Sequence, residues 1–289
     1  MKVSICVIIY NHGKYIRQCL ESILAQQTDF PVELIISDDK SKDDSVHQVN
    51  SLLASIDIPP QISIVRLFHE QNMGMNLNWR SAIERATGEY ITIIEGDDYW
   101  EGTNKLATQI AFLETHPQYS GAANETRVLH MQTGQYTSFT AARYKNGPMP
   151  EAFGMEEYLA SDCLCHTSSL VYRNVFCGKP LPDLVNTSMT LDQAIFTLFN
   201  EQNLIRYFNE PWSVYRVHPA GITQSSRHRN IKLVTQNQIQ MFMALDKATD
   251  QRFGDTLKNK VKKLRFELVR IKLYLPHMKR WLLKNLRSQ

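Results

Sequence analysis

Over its first hundred residues the chain alternates short apolar runs with longer segments whose apolar residues recur at helical spacing, and few folds accept that rhythm. Val3–Tyr10 (VSICVIIY) is apolar almost throughout, as a strand covered on both faces must be. In Lys14–Gln27, residues Ile16, Leu20, Ile23 and Leu24 fall on one helical stripe. Val32–Ser37 then reads as strand, Asp43–Ile56 as helix, Ile62–Phe68 as strand, Asn76–Ala86 as helix and Tyr90–Glu95 as strand. Four strands separated by three helices predict an α/β fold whose mostly parallel sheet is flanked by helices. Asn104–His116 reads as a further helix, stopped by Pro117.

Beyond residue 118 the pattern is less regular. Thr133-Gly134 suits a hairpin turn, and Asn146-Gly147-Pro148-Met149-Pro150 is loop punctuation. Met155–Ser161 and Thr190–Asn200 read as helices, Ser168–Tyr172 as a strand, and Ile205–Phe208 and Trp212–Val217 as extended pieces. Residues 230–285 read as helical. The five cysteines (6, 19, 163, 165, 177) are odd in number and lack a Cys-x-x-Cys pair, which argues against a disulfide framework. Cys163-x-Cys165-His166 has no second ligand pair at a spacing that suits zinc.

The polar residues gather at the ends of the strands. The first strand ends in Tyr10-Asn11-His12-Gly13, the second in Asp38-Asp39, and the fourth in Glu95-Gly96-Asp97-Asp98; Arg66 and then His69-Glu70-Gln71-Asn72 mark the third. Ligands bind outside the carboxyl ends of parallel strands, so these four tips predict one cleft. Glu95, Asp97 and Asp98 place three carboxylates in four residues and call for a cation such as Mg²⁺ or Mn²⁺, or else form an acidic turn capping the next helix. Neither a P-loop nor a G-x-G-x-x-G motif follows the first strand, so a diphosphate would need a metal and cationic side chains.

The stretches VSICVIIYNHGKYIRQCLESILAQ, VELIISDDKSKDDS and NMGMNLNW…AIERATGEYITIIEGDDYW resemble the family 2 glycosyltransferases of the GT-A fold. The resemblance continues through KLATQIAFLETHPQY, CHTSSLVYRN, TLDQAIF and SVYRVHPAGIT, from residue 3 to about 225. It implies a GT-A domain over 1–225, divided into a nucleotide-binding half (1–118) and an acceptor-binding half (119–225), followed by a basic helical extension over 226–289. It implies an inverting, metal-dependent transferase that moves a sugar from a nucleotide-diphosphate donor, UDP-sugar favoured, to a hydroxyl of a saccharide or lipid-linked saccharide. Polysaccharide or lipopolysaccharide synthesis is the expected setting.

Carried over residue by residue, the resemblance puts Tyr10 along the base with Asn11 beside it. Asp39 bonds the base, Asp38 supports its loop, and Arg66 is a further base contact. Asp98 is the direct metal ligand, Asp97 lies nearer the ribose and the metal, and His218 closes over the phosphates and metal, with a structural hydrogen bond its other reading and Arg216 a candidate to pair with an acid in the core. Glu95 stands where many relatives have Asp, and Trp79-Arg80 where many have Arg-Asn. Asp192 matches the catalytic base, although an Asp in a first helical turn is ordinarily a dipole or cap residue. His166, Thr167 and Trp100 are assigned to the acceptor side, with core packing the other reading for Trp100.

Charge is unevenly spread along the chain. Residues 256–289 carry 11 Lys/Arg against the single acid Glu267, a net +10, whereas the other 255 residues hold 21 Lys/Arg and 28 acids, a net −7. The acidic body disfavours a nucleic-acid partner, and the tail suits an anionic membrane surface. Leu257, Val261, Leu264, Leu268, Ile271 and Leu275 form one apolar stripe of the tail, and Pro276 is expected to interrupt it before Met278, Trp281, Leu282 and Leu286. That stripe can pack on the body, on a partner helix, or in the plane of a membrane. No run reaches the ~18–20 residues of a spanning helix, so the expected place is cytoplasmic, peripheral at the inner face of the cytoplasmic membrane. The alternatives are a non-catalytic nucleotide-sugar-binding or membrane-scaffold protein on the same fold, and a nucleotidyltransferase, which the missing Gly-rich basic loop disfavours.

Overall fold

The computed structural model describes residues 1–145, 147–161, 163–221 and 230–285, with side chains described as far as residue 271. Strand β1 (Val3–Ile9) is buried at every position. Cys6 and Ile8 join one apolar cluster, whereas Val3, Ile5, Val7 and Ile9 join another on the opposite face. Two buried faces leave no position for a polar residue except Ser4, which is why the run reads as continuously apolar. Helices α1 (Ile16–Leu24) and α2 (Ser45–Ser55) cover the second face through Leu20, Ile23, Val49 and Leu52. After β2 (Val32–Asp38) and β3 (Ile62–Phe68), helix α3 (Met75–Arg85) covers the first face with Trp79, Ala82 and Ile83. Each large apolar side chain buried in this way stabilises the fold by about 1.5–3 kcal/mol.

The chain continues through β4 (Tyr90–Glu95), β5 (Tyr99–Trp100), α4 (Lys105–Thr115), β6 (Gly121–His130), β7 (Gln135–Ser138), α5 (Phe139–Arg143), β8 (Ala152–Phe153), α6 (Met155–Ala160), β9 (Val171–Arg173), α7 (Leu191–Phe199) and β10 (Ile205–Val217). The sheet runs β3-β2-β1-β4-β9-β6-β10-β5, with β7 added to β6 and β8 to β10. β3, β2, β1 and β4 are parallel, β9 is antiparallel between β4 and β6, and β10 is parallel to β6. The sheet is therefore parallel across the expected strands and mixed beyond them.

Differences from the sequence reading have local causes. Thr133-Gly134 does turn the β6–β7 hairpin, with Gly134 at φ 70°. The strand expected at Ser168–Tyr172 starts only at Val171, because Thr167–Ser169 winds into a 3₁₀ turn after His166. Ile205–Phe208 and Trp212–Val217 belong to one strand, whose pairing register shifts between Phe208 and Ser213, where Pro211 has no N–H to offer.

Residues 230–285 form two helices, α8 (Ile231–Ala248) and α9 (Gly254–Asn285), joined where Asp250 and Gln251 turn left-handed at φ 49° and 58°. The backbone stays helical through Pro276, contrary to the expected interruption. Leu257, Val261 and Leu264 are buried with Met241, Phe242 and Leu245 of α8 in the main core. The membrane-facing reading therefore fails for that part of the stripe, which is already covered by protein. The side chains of Lys272, Leu275, Met278, Lys279, Arg280, Trp281, Leu282, Lys284, Leu286 and Arg287 lie outside the described residues. No helix among the described residues is long and apolar enough to cross a membrane.

Candidate active site

The chain leaves β1 toward β2 and β3 and returns on the other side as β4, so the order of strands reverses between β1 and β4. Such a reversal opens a crevice at the carboxyl ends. Register sets the tips level, with Ile8 opposite Glu95 and Ile9 opposite Asp38. Gly96 lets them close: a Cβ there would stand only 3.0 Å from His12 Nδ1 and from Ile16 Cδ1.

The β1 tip is tied to the β2–α2 loop. Asn11 turns at φ 59°, donates its N–H to Ser41 Oγ (2.9 Å) and accepts from Lys42 N–H at Oδ1 (2.7 Å). Asp38 accepts from the N–H and hydroxyl of Ser41, and Asp43 accepts from Gly13 N–H (2.9 Å). Burial works against the Asp43 charge, but the Ser45 and Gly13 hydrogen bonds more than offset it and hold the carboxyl below its ordinary range. Tyr10, 40% exposed, stands at the rim. Asp39 is only 2% exposed; its two oxygens accept from Met73 N–H (2.6 Å) and Gly74 N–H (2.9 Å). The hydrogen bonds present at Asp39 therefore clamp the β3–α3 loop.

At the β4 tip, Asp97 Oδ2 lies 3.0 Å from His218 Nε2 and 3.6 Å from His12 Nε2. Asp98, 1% exposed, accepts from Arg216 N–H at Oδ1 (3.0 Å) and has His166 Nε2 3.8 Å from Oδ2. The Arg216 guanidinium donates to the Asp97 carbonyl and to Gln18, and packs over the Tyr99 ring. The three carboxyls thus separate electrostatically. Burial, then the charges of Asp97 and Glu95, raises Asp98 well above the usual carboxylate range. Burial, then Asp97, pushes Glu95 up to about 8. Burial also opposes the Asp97 charge, but the His218 hydrogen bond and the His12 charge pull that carboxyl below its ordinary value. Asp97 is the member built to stay ionised.

Asp192 stands half-buried in the first turn of α7, and its charge reaches Glu95 as one cause of the Glu95 shift. His166 stacks on Tyr215 (ring centroids 4.5 Å), and burial lowers its imidazole to about 3. Thr167 follows in the 3₁₀ turn, half-buried.

One expected residue lies elsewhere. Trp100 is 3% exposed: its indole N–H donates to the Ser168 carbonyl (2.8 Å) and Lys105 Nζ sits 4.4 Å from its ring, so it is a core residue with no face for a sugar. Arg66 is exposed on β3 opposite Ile36 of β2, one strand spacing (about 5 Å) from the strand that ends in Asp38. Asp97, where the sequence reading favoured Asp98, is the carboxylate that faces the two histidines. The reading did not single out His12, which follows β1; the pairing it offered Arg216 with a core acid is met by the Arg216 N–H at Asp98 and by the guanidinium at the Asp97 carbonyl.

His12 Nδ1, His218 Nδ1 and Glu95 Oε2 are buried with no hydrogen-bond partner among the described residues. Among those residues no three His, Cys, Asp or Glu side chains are grouped so as to hold a metal ion by themselves. A carboxylate beside an imidazole is a partial donor set, fitting a divalent cation whose shell is completed by phosphate oxygens and water.

Residues 4–170 match the family described as Glycosyl transferase family 2. The chain is 30% identical over 224 residues to the uncharacterized protein Rv1520 of Mycobacterium tuberculosis, covering 78% of this chain and 61% of that one. It thus spans about three fifths of that relative's length. The fold is similar to that of S. aureus TarS 1-349 in complex with UDP-GlcNAc, with a TM-score of 0.58 and 18% identity, covering 84% of this chain and 66% of that one. It is also similar to the mannosyltransferase PcManGT from Pyrobaculum calidifontis in complex with GDP-Man and Mn²⁺, at a TM-score of 0.56 and 14% identity, covering 94% and 75%. Together these likenesses show the GT-A fold.

Proposed function

From the premise that the chain belongs to glycosyl transferase family 2, we propose that it is an inverting glycosyltransferase that takes a sugar from a nucleotide-diphosphate donor, UDP-sugar favoured. The observation that carries this reading is the meeting of the β1, β4 and β10 ends around Asp97, with Asp192 brought close enough to perturb Glu95. The base would lie along Tyr10 and Asn11, over the loop that Asp38 and Asp39 hold, about two strand spacings (roughly 10 Å) from β4. That span suits a nucleoside diphosphate whose phosphates reach the acidic tip.

Asp97 and His218, with Asp98 behind them, would hold Mn²⁺ or Mg²⁺. When bound, the cation offsets charge on the diphosphate as a Lewis acid. Arg216 keeps the acidic turn in place. Asp192 takes the proton of the acceptor hydroxyl while that oxygen attacks the anomeric carbon from the face opposite the diphosphate. The bond from that carbon to the diphosphate oxygen breaks, the nucleoside diphosphate leaving with the electron pair. General-base help of this kind is typically worth about 10²–10⁴ in rate, and the helix N-terminus favours the charged carboxylate. His166 and Thr167 would border the acceptor. We assign residues 1–118 to the donor, 119–225 to the acceptor, and 226–289 to a helical extension.

The acceptor is a saccharide or lipid-linked saccharide in polysaccharide or lipopolysaccharide synthesis. The distal basic tail would bring the enzyme to the inner face of the cytoplasmic membrane, each basic residue near anionic lipid adding about 1 kcal/mol. The test has two arms. Thermal shifts with UDP, GDP, dTDP and CDP, with and without Mn²⁺, should single out one nucleotide, whose stabilisation grows with Mn²⁺. Asp192→Asn should keep that shift and lose transfer; undiminished turnover removes Asp192 from the mechanism.

A further inference from the structure

Cys163 occupies a position that its sequence context does not explain. Its backbone is left-handed, at φ 78°, an uncommon conformation for a residue carrying a Cβ. The turn brings its side chain to α7, where Sγ lies 3.2 Å from Asp192 Oδ2. Tyr158 Oη lies 3.3 Å from the same sulfur, and the Tyr158 ring stacks on Phe196 at 3.5 Å, one helical turn beyond Asp192. The Cys165 carbonyl is a second, longer neighbour of the sulfur at 3.4 Å.

The chemistry of these groups orders the protons. An ionised carboxylate only accepts, a thiol has one proton, and a phenol can donate to sulfur. Burial, followed by the Asp192 charge, pushes the Cys163 thiol well above its ordinary range, so it keeps its proton. Tyr158 is likewise held protonated by burial. The self-consistent arrangement is Tyr158 O–H donating to Cys163 Sγ, and Cys163 S–H donating to Asp192. The left-handed turn at Cys163 delivers that donor to α7.

We propose that Cys163 is a positioning residue that orients the Asp192 carboxylate and favours its charged form, with Tyr158 bracing the thiol. This rests on the reading of Asp192 as the catalytic base. Cys163 touches neither donor nor acceptor: it acts through Asp192, holding Oδ2 of that carboxylate. The same loop, three residues on, carries His166, so one segment sets both the base and the acceptor border.

Two measurements on the full chain test this. The first is the S–H stretching band of Cys163 in the infrared, isolated as the difference between the wild type and Cys163→Ala. In the Asp192→Asn background, against Asp192→Asn/Cys163→Ala, the band should move to higher wavenumber as the charged acceptor is lost. An unmoved band overturns the contact, whether or not the enzyme turns over. The second is the pH profile of nucleotide release from UDP-GlcNAc or GDP-Man with Mn²⁺. Cys163→Ala should raise the acid limb of kcat/KM by about half to one pH unit, because a hydrogen bond to the charged form is gone. Cys163→Ser, which keeps a donor, should return the limb toward wild type. Ala and Ser variants that share the wild-type limb, or that lose activity equally with no change of limb, overturn the proposal. Retained turnover in Asp192→Asn overturns the base reading itself, a result distinct from an unmoved band.

Discussion

His218 Nε2 and Asp97 Oδ2 stand 3.0 Å apart although 121 residues separate them in the chain. The contact joins the end of β10 to the tip of β4, and His12 adds β1 to the same oxygen at 3.6 Å. Burial disfavours the Asp97 charge, and the His218 hydrogen bond is the largest opposing influence. Replacing His218 with Ala should therefore weaken binding of the preferred nucleoside diphosphate in Mn²⁺ by roughly 10- to 100-fold. Titration calorimetry measures this, and equal affinity in the two proteins would detach His218 from the phosphate site.

Arg216 is a buried cation whose guanidinium donates to the Asp97 carbonyl and to Gln18 and lies over Tyr99. Arg216→Leu leaves those acceptors unpaired beside the carboxylates and should destabilise the fold by about 2–4 kcal/mol. Arg216→Lys should recover only part, since an ammonium cannot reproduce the planar fork. Urea midpoints of the three proteins decide the matter, and wild-type midpoints in both variants would contradict it.

Lys105 is fully buried against Trp100, donates to Gln109 Oε1 (2.9 Å), and is lowered by burial to about 7 from 10.5. Below about pH 7 the folded and unfolded chains both hold the proton, so the full penalty of the buried charge is present. Between about 7 and 10.5 the unfolded chain binds the proton that the folded chain has released, so stability rises with pH. The total change is on the order of 5 kcal/mol. Lys105→Met should erase that rise, with a smaller gain at pH 6 because Gln109 loses its donor. Parallel pH–stability curves for the two proteins would show that Lys105 is not the titrating group.

The first part of α9 is anchored in the main core through Leu257, Val261 and Leu264. Leu264→Ala should cost about 2–4 kcal/mol, because Leu264 is packed in the main core. Deleting residues 272–289 should leave the unfolding temperature nearly unchanged yet abolish sedimentation with anionic vesicles. Undiminished vesicle binding by the shortened chain would remove the tail from membrane attachment.

Much of the crevice was legible in the sequence because parallel strands put their polar tips at one edge of the sheet. Tyr10, Asn11, Asp38, Asp97 and Asp98 follow from that rule alone. Trp100 was left between the acceptor side and the core; tertiary structure decides for the core, where the indole meets Ser168 and Lys105, both supplied by other segments. Adjacent aspartates also look alike in sequence. Only the turn at Gly96 and the arrival of β10 direct Asp97 to the histidines and bury Asp98 beneath Arg216.

Hydrophobic periodicity, a property of neighbouring residues, determined by itself the alternation of strands and helices, the parallel half of the sheet and the edge where polar groups collect. Tertiary packing decided which carboxylate keeps its charge, that Leu257, Val261 and Leu264 of the tail stripe are covered by the body, and that a cysteine on a left-handed turn reaches Asp192. Each of those depends on partners dozens of residues away, because desolvation and hydrogen bonding act through space and leave no local periodicity to read.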